Sequence, residues 1–265
     1  MQFMIYYVPE NLKVSKSGVT GKSPVNQLIN TSTKTLKGNQ KMKTYEILKF
    51  LTVKLTASKI SDAEHSTCVA TGFYVILNGS PVIVTAKHFA EDTDEHVTIT
   101  AHYKENNKII SLPVTAYVEW IASAEFDIAY CKVDPFEKKF KEITGRDMFY
   151  TALSENNIMT KEEFSQLNIL SEVVTLSYPL GSSSTHHSFP LFKKGYISSN
   201  PADFTQDGEG YLDLCSECGM SGAPIILNDS PLKLIGILVQ NIKSENSLIP
   251  STAIYVSADK ILDMK

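Results

Sequence analysis

Two β-rich runs, Phe73–Leu77 and Val82–Thr85, flank Asn78-Gly79-Ser80-Pro81, and this juxtaposition constrains the fold more than any other feature of the chain. Asn-Gly between apolar runs predicts a hairpin, because the favoured tight turn needs positive φ at its central residues. Leu51-Thr52-Val53-Lys54-Leu55 alternates as a half-buried strand does. Val97–Tyr103, Ile109–Val118 and Ile128–Val133 have the same texture. Six short strands this closely spaced predict a barrel or sandwich rather than βαβ units.

A different middle follows. Asp134-Pro135 occupies the N-cap and first position of a helix, and Phe136, Phe140 and Ile143 recur at helical spacing before Gly145. Thr160 and Glu163 match a capping box. Residues 134–170 therefore read as a short-helix connection between two β units. Strand texture resumes at Val173–Tyr178, Gly195–Ser199, Ala223–Leu227 and Leu234–Gln240. Ser257 is placed to cap a terminal helix through Ile261 and Leu262.

The segment before Tyr45 is unlike the rest. Residues 1–43 carry seven lysines and one acid, Glu10, without strand or helix periodicity, and read as a flexible N-terminal arm. The remainder holds 18 basic and 28 acidic side chains, a balance that argues against a nucleic-acid partner. The apolar runs are too short for a transmembrane helix. Met1–Pro9 lacks the basic leader and cleavage site of a signal peptide. Four cysteines, at 68, 131, 215 and 218, are too few for a disulfide scaffold, so we expect reduced thiols and a cytoplasmic location.

Three local patterns carry chemistry. His88 ends Ile83-Val84-Thr85-Ala86-Lys87-His88, just past a hydrophobic strand. Asp127 stands in Glu125-Phe126-Asp127-Ile128-Ala129, immediately before another strand. Ser221 lies between glycines in Cys218-Gly219-Met220-Ser221-Gly222-Ala223-Pro224. Each alone is ordinary: a turn, a cap, a strand end. Together, in the order His, Asp, Ser, they match one of the known arrangements of a nucleophilic triad. The spacing puts His88 and Asp127 in the first β unit and Ser221 in the second.

These segments resemble the motifs of trypsin-like serine peptidases. Thr85–His88 resembles their Thr-Ala-Ala-His, Asp127-Ile128-Ala129 their Asp-Ile-Ala-Leu, and Gly219–Pro224 their Gly-Asp-Ser-Gly-Gly-Pro. Ala70–Phe73, Tyr178–Gly181, Gly195–Ser198 and Asp213 fit the same pattern, most similar to the PDZ-less core of HtrA-type bacterial peptidases. The resemblance implies an all-β fold of two antiparallel β-barrels, chymotrypsin-like, with a short-helix connection and a C-terminal helix. It places the first barrel at about 44–133, the connection at about 134–170 and the second barrel at about 171–265. It also implies a serine endopeptidase with His88, Asp127 and Ser221 as triad, and the N–H groups of Gly219 and Ser221 as oxyanion hole. Cys215, six residues before Ser221, then stands at the floor of the substrate-binding pocket and offers no charge to a basic side chain. No cofactor is implied, and the partner is a protein or peptide substrate.

The chain departs from the family pattern at three places. Met220 replaces an acid, Ala223 replaces a glycine, and Phe89 stands where secreted members carry a disulfide cysteine. Cys215 and Cys218 form one C-x-x-C, open to reading as a redox pair or as half of a metal site, although no second pair completes such a site. His186-His187, on a Ser-rich stretch, reads as solvated. The competing function is a catalytically silent trypsin-like module that binds peptides or partner proteins.

Overall fold

In the computed structural model, which describes residues 4–5, 46–60, 66–106, 108–183, 188–201, 208–228, 232–242 and 252–264, the hairpin is the centre of the first β unit. Asn78 and Gly79 take φ of 49° and 75°, the double positive pair that the turn demands. They join β3 (Thr67–Leu77) to β4 (Ser80–Thr85). With β2 (Thr52–Ser58), β5 (His96–Glu105), β6 (Lys108–Tyr117), β7 (Ile121–Ala122) and β8 (Ala129–Lys132) these build an antiparallel sheet of order β6-β5-β2-β3-β4-β8-β7. Pro113 sits in β6, an edge strand, where its missing N–H is tolerated.

Side-chain alternation explains how this sheet serves two cores. Tyr74 and Ile76 of β3 and Ile83 of β4 point into a cluster with Val53, Leu55, Val97, Ile99 and Val114, so the sheet wraps around its own interior. Phe73, Val75 and Leu77 of β3, with Val82 and Val84 of β4, face the other way, into a cluster shared with the second unit. Covered on both faces, β3 is buried without interruption from Ala70 to Leu77, which is why it reads as an unbroken apolar run.

The second unit is a closed six-stranded barrel. β10 (Glu172–Ser177), β11 (Leu191–Ile197), β12 (Glu209–Asp213), β15 (Thr252–Ser257), β14 (Lys233–Ile242) and β13 (Pro224–Leu227) pair in that order, and β13 returns to β10. Ile225, Ile235, Leu238 and Tyr255 fill its interior, while Val174, Leu176, Ile226, Leu234 and Ile237 join the shared cluster. The fold is the all-β architecture expected, two antiparallel β units with few helices. Among the described residues only the second unit closes through hydrogen bonds; the first remains a seven-stranded sheet with β6 and β7 at its edges.

The connection follows its local signals. Helix α2 (Asp134–Thr144) buries Phe136 and Phe140 and ends at Gly145, whose φ of 69° permits the left-handed cap. Its cap is Val133 rather than Asp134, because the Val133 carbonyl already accepts from Phe136 and Glu137. Ile143 is exposed. Thr160 and Glu163 close the expected capping box on α3 (Lys161–Ser165). Between the two helices the chain pairs Leu153 with Val75 and Ile158 with Leu234, stitching both units from behind. The terminal helix is a 3-10 segment, Ala258–Met264, and the Ser257 hydroxyl at its start bonds the Asp259 carboxylate. The sequence expectations omit β12 and β15: β12 buries only Gly210 and Leu212, whereas Ile254-Tyr255-Val256 of β15 is a strand signal that they miss.

Of the arm, Met4–Ile5 forms β1, antiparallel to β9 (Thr151–Ala152). The expectation for the rest of the arm lies outside the described residues, as does that for His186 and His187.

Candidate active site

His88 is delivered by β4. The strand ends at Thr85, and α1 (Lys87–Asp92) begins two residues later, turning the imidazole out of the sheet. Phe89, beside it, is buried and meets the Trp120 ring edge-on at 6.2 Å, filling with an aromatic the place expected of a disulfide cysteine. Asp127 stands on a tight loop before β8. The Ser123 hydroxyl accepts from the N–H groups of Glu125 and Phe126, and Ile128 N–H donates back to the Phe126 carbonyl. A loop pinned in this way holds the carboxylate in place.

The two side chains meet twice. Asp127 Oδ2 lies 2.7 Å from His88 Nδ1, and Asp127 Oδ1 accepts the His88 backbone N–H at 2.8 Å. Each carboxylate oxygen engages His88, one at the ring and one at the backbone, which fixes the ring's orientation and leaves Nε2 without a partner among the described residues. The hydrogen bond to Asp127 raises the His88 pKa above its ordinary value; partial burial opposes this, and the charges of Asp127, Asp92 and Glu91 add to it. Burial pushes Asp127 upward, but the His88 ring, its charge and the N–H groups of His88 and Lys87 outweigh it, and the carboxyl lies below its usual value.

Ser221 comes from the other unit, on the run between β12 and β13. Gly219 and Gly222 bracket it with φ of 88° and 85°, conformations open to glycine. They also need the space. A Cβ on Gly222 would stand 2.1 Å from the Thr71 carbonyl and 2.3 Å from Thr85 Oγ1, and one on Gly219 would stand 2.4 Å from the Tyr178 carbonyl. Gly222 lies against Ala86, so the serine is seated beside the strand end that leads to His88. Among the described residues no hydrogen bond joins His88 to Ser221.

Backbone donors are distributed unevenly on this run. Met220 N–H donates to the Glu217 carbonyl, Gly222 N–H to Leu238 and Ala223 N–H to Met220. The N–H groups of Gly219 and Ser221 have no acceptor among the described residues. Met220 and Ala223 are fully buried, and Ala223 has no positive φ, so the extra methyl is accommodated.

Thr71 is the residue that motif reading undervalued. Its N–H donates to the Ser221 carbonyl at 2.9 Å, and its hydroxyl donates to the Gly219 carbonyl at 2.8 Å. The same hydroxyl accepts from Tyr178 N–H, and the Thr71 carbonyl accepts from Thr85 Oγ1. One fully buried side chain on β3 therefore ties the serine turn to both units. Tyr178 adds a second tie, its hydroxyl reaching the Thr52 carbonyl of β2. The sequence signal was present in Ala70-Thr71-Gly72-Phe73, but a lone threonine in a strand does not announce four partners.

Cys215 is exposed, between buried Leu214 and Ser216, and its carbonyl accepts from Lys193 Nζ at 3.2 Å. Asp213 is exposed at the end of β12. Cys218 is also exposed, and its carbonyl accepts from Leu180 N–H at 2.6 Å. None of the four cysteines is joined in a disulfide. No helix among the described residues is long and apolar enough to cross a membrane.

No protein-family description matches the sequence, and no curated protein matches it. Among solved structures, the chain is similar to a thermostable serine protease, AL20, from an extremophilic microorganism. The two are 12% identical, over 82% of this chain and 95% of that one, with a TM-score of 0.49.

Proposed function

We propose that the protein is a serine endopeptidase in which His88, Asp127 and Ser221 act as the triad. The observation that carries this reading is the double contact of the Asp127 carboxylate with the His88 ring and backbone. A carboxylate that holds one imidazole nitrogen aims the other and stabilises the imidazolium formed when it accepts a proton. Ser221 supplies the hydroxyl. It attacks the scissile carbonyl as Nε2 removes its proton, and the same proton then goes to the leaving amine. The unengaged N–H groups of Gly219 and Ser221 receive the negative charge that develops on the carbonyl oxygen; one such donor is worth about 3–4 kcal/mol in the transition state.

The activity belongs to residues 44–265, with 1–43 as an appended arm, and the substrate is a protein or peptide. Cys215, uncharged, disfavours a basic residue before the cleaved bond, and Cys215→Asp shifts cleavage toward Arg or Lys in a peptide-library profile. Cysteines outside any disulfide and the phenylalanine at position 89 suit a reducing, cytoplasmic compartment.

The test is covalent labelling with a fluorophosphonate. The native protein is expected to take up one equivalent at Ser221, and Ser221→Ala none; labelling that survives the substitution refutes the assignment. The missing His88–Ser221 hydrogen bond favours one other reading, a silent module that binds peptides without cleaving them. Catalytic hydrogen bonds are often long in the absence of substrate. A native protein that binds peptides yet never labels decides for the silent module.

A further inference from the structure

Cys215 and Cys218 lie on the same run as Gly219 and Ser221, both exposed and both free. Their carbonyls are tethered to different parts of the barrel. Cys215 is held by Lys193 of β11, whose ammonium also lies 3.7 Å from the Glu217 carboxylate. Cys218 is held by the N–H of Leu180, from the turn that follows β10. Leu214 and Ser216 are buried while Cys215 and Glu217 are exposed, the alternation of an extended run, and Met220 N–H then closes a turn onto the Glu217 carbonyl. Three extended steps separate two Cα atoms by about 10 Å. A disulfide needs them at about 4.4–6.8 Å. The pair is close enough in sequence to be joined, and the run between them must bend for the bond to form.

We propose that Cys215 and Cys218 are a reversible redox site, whose disulfide displaces Gly219 and closes down the oxyanion position. The chemistry is thiol–disulfide exchange with a small-molecule disulfide such as oxidised glutathione. One cysteine thiolate attacks a sulfur of the oxidant, forming a mixed disulfide and expelling one reduced thiol. The second cysteine then attacks the protein sulfur of that mixed disulfide and expels the other. Two protein thiols are oxidised to one disulfide, the oxidant is reduced to two thiols, and the two protons released by the cysteines end on those thiols.

The structural consequence follows from the absence of slack. Drawing Cys218 toward Cys215 strains its 2.6 Å bond to Leu180 and moves the adjacent Gly219. Gly219 is already seated so closely that a Cβ would stand 2.4 Å from the Tyr178 carbonyl, and its own carbonyl is held by Thr71. The N–H of Gly219 cannot keep its direction when the residue before it is pulled away. The inhibitory consequence rests on the proposed peptidase reading; the disulfide itself does not.

The experiment incubates the full-length reduced protein with oxidised glutathione. The peptide containing 215–218 should become lighter by two hydrogens, and fluorophosphonate labelling should slow by about 100- to 1,000-fold, the loss expected for one oxyanion donor. Dithiothreitol should restore both. Cys218→Ser, compared with itself before and after treatment, should keep its labelling rate. A stable glutathione adduct in place of the internal bond overturns the proposal, as does an internal bond that leaves labelling unchanged. If the reduced protein never labels, the peptidase reading has failed, and amide hydrogen exchange decides the redox site independently. Faster exchange across 214–222 on oxidation supports it, and unchanged exchange with the bond formed overturns it.

Discussion

The His88–Asp127 contact ties stability and the proposed activity to pH in opposite directions. The native His88 pKa is raised, so its stabilising contribution is full below the unfolded value, about 6.5, and is lost as pH rises through the native one. The native Asp127 pKa is lowered, so its contribution is present above about 3.9 and fades as pH falls through the native value. The pair stabilises most between these limits. The proposed attack needs the imidazole neutral, so the fluorophosphonate rate should rise with pH and level off with an inflection above about 6.5. An inflection below that value contradicts a raised His88. If the proposed triad holds, Asp127→Asn removes the orienting charge and should slow labelling by about four orders of magnitude, the drop known for that change in a characterised Ser-His-Asp triad. Thr71→Val tests a positioning role. It leaves the Gly219 carbonyl and the Tyr178 N–H without their partner in a buried setting, at about 1–3 kcal/mol. Urea unfolding should show that loss, and labelling should slow while its pH inflection stays where it was. A moved inflection means that Thr71 acts on His88 instead.

At the level of elements, the local signals that worked were those in which one residue type solves one backbone problem. Asn78-Gly79 supplies two positive φ angles, Gly145 ends α2, and Thr160 with Glu163 satisfies the orphan donors of α3. The capping box is open to direct test. Thr160→Ala should cost about 1 kcal/mol and lower Tm by about 2–4 °C, read by circular dichroism. No change in Tm means that Lys233, which pairs with Glu163 at 2.8 Å, holds the turn alone. Elements whose stability comes from neighbours were illegible. β12 exposes Glu209, Tyr211 and Asp213 and exists because β11 and β15 flank it. The two-residue strands β1 and β9 likewise have no pattern of their own, and only their pairing defines them.

At the scale of the molecule, the shared cluster joins two units that otherwise have separate interiors. Ile237 belongs to the second unit and packs among residues of the first, including Phe73 and Val84. Ile237→Ala should cost about 2–5 kcal/mol. The sole tryptophan, Trp120, lies in the first unit and reports on it separately. Its fluorescence transition in urea should shift together with the far-UV circular dichroism. A tryptophan transition that stays put would show that the units unfold independently. The same junction carries the candidate site, because Thr71, Thr85 and Ala86 of one unit are the surface against which Gly219 and Gly222 of the other are pressed.

Much of this was written along the chain. The strand texture, the Asn-Gly turn, the helical connection and the three motif segments each depend on neighbours a few residues away, so periodicity and turn chemistry reveal them. His88 and Asp127 were also legible as candidates, but their twofold contact was not. It required a loop pinned by Ser123 and a strand end 39 residues upstream to meet at 2.7 Å. Which residues share the central core, why β3 is buried on both faces and why Thr71 has four partners were decided only by the packing of the units. Those features depend on contacts between residues over a hundred positions apart, as with Thr71 and Gly219 at a separation of 148. No local pattern encodes a contact of that range, because its energy arises from burying two surfaces that meet only when the whole chain has folded.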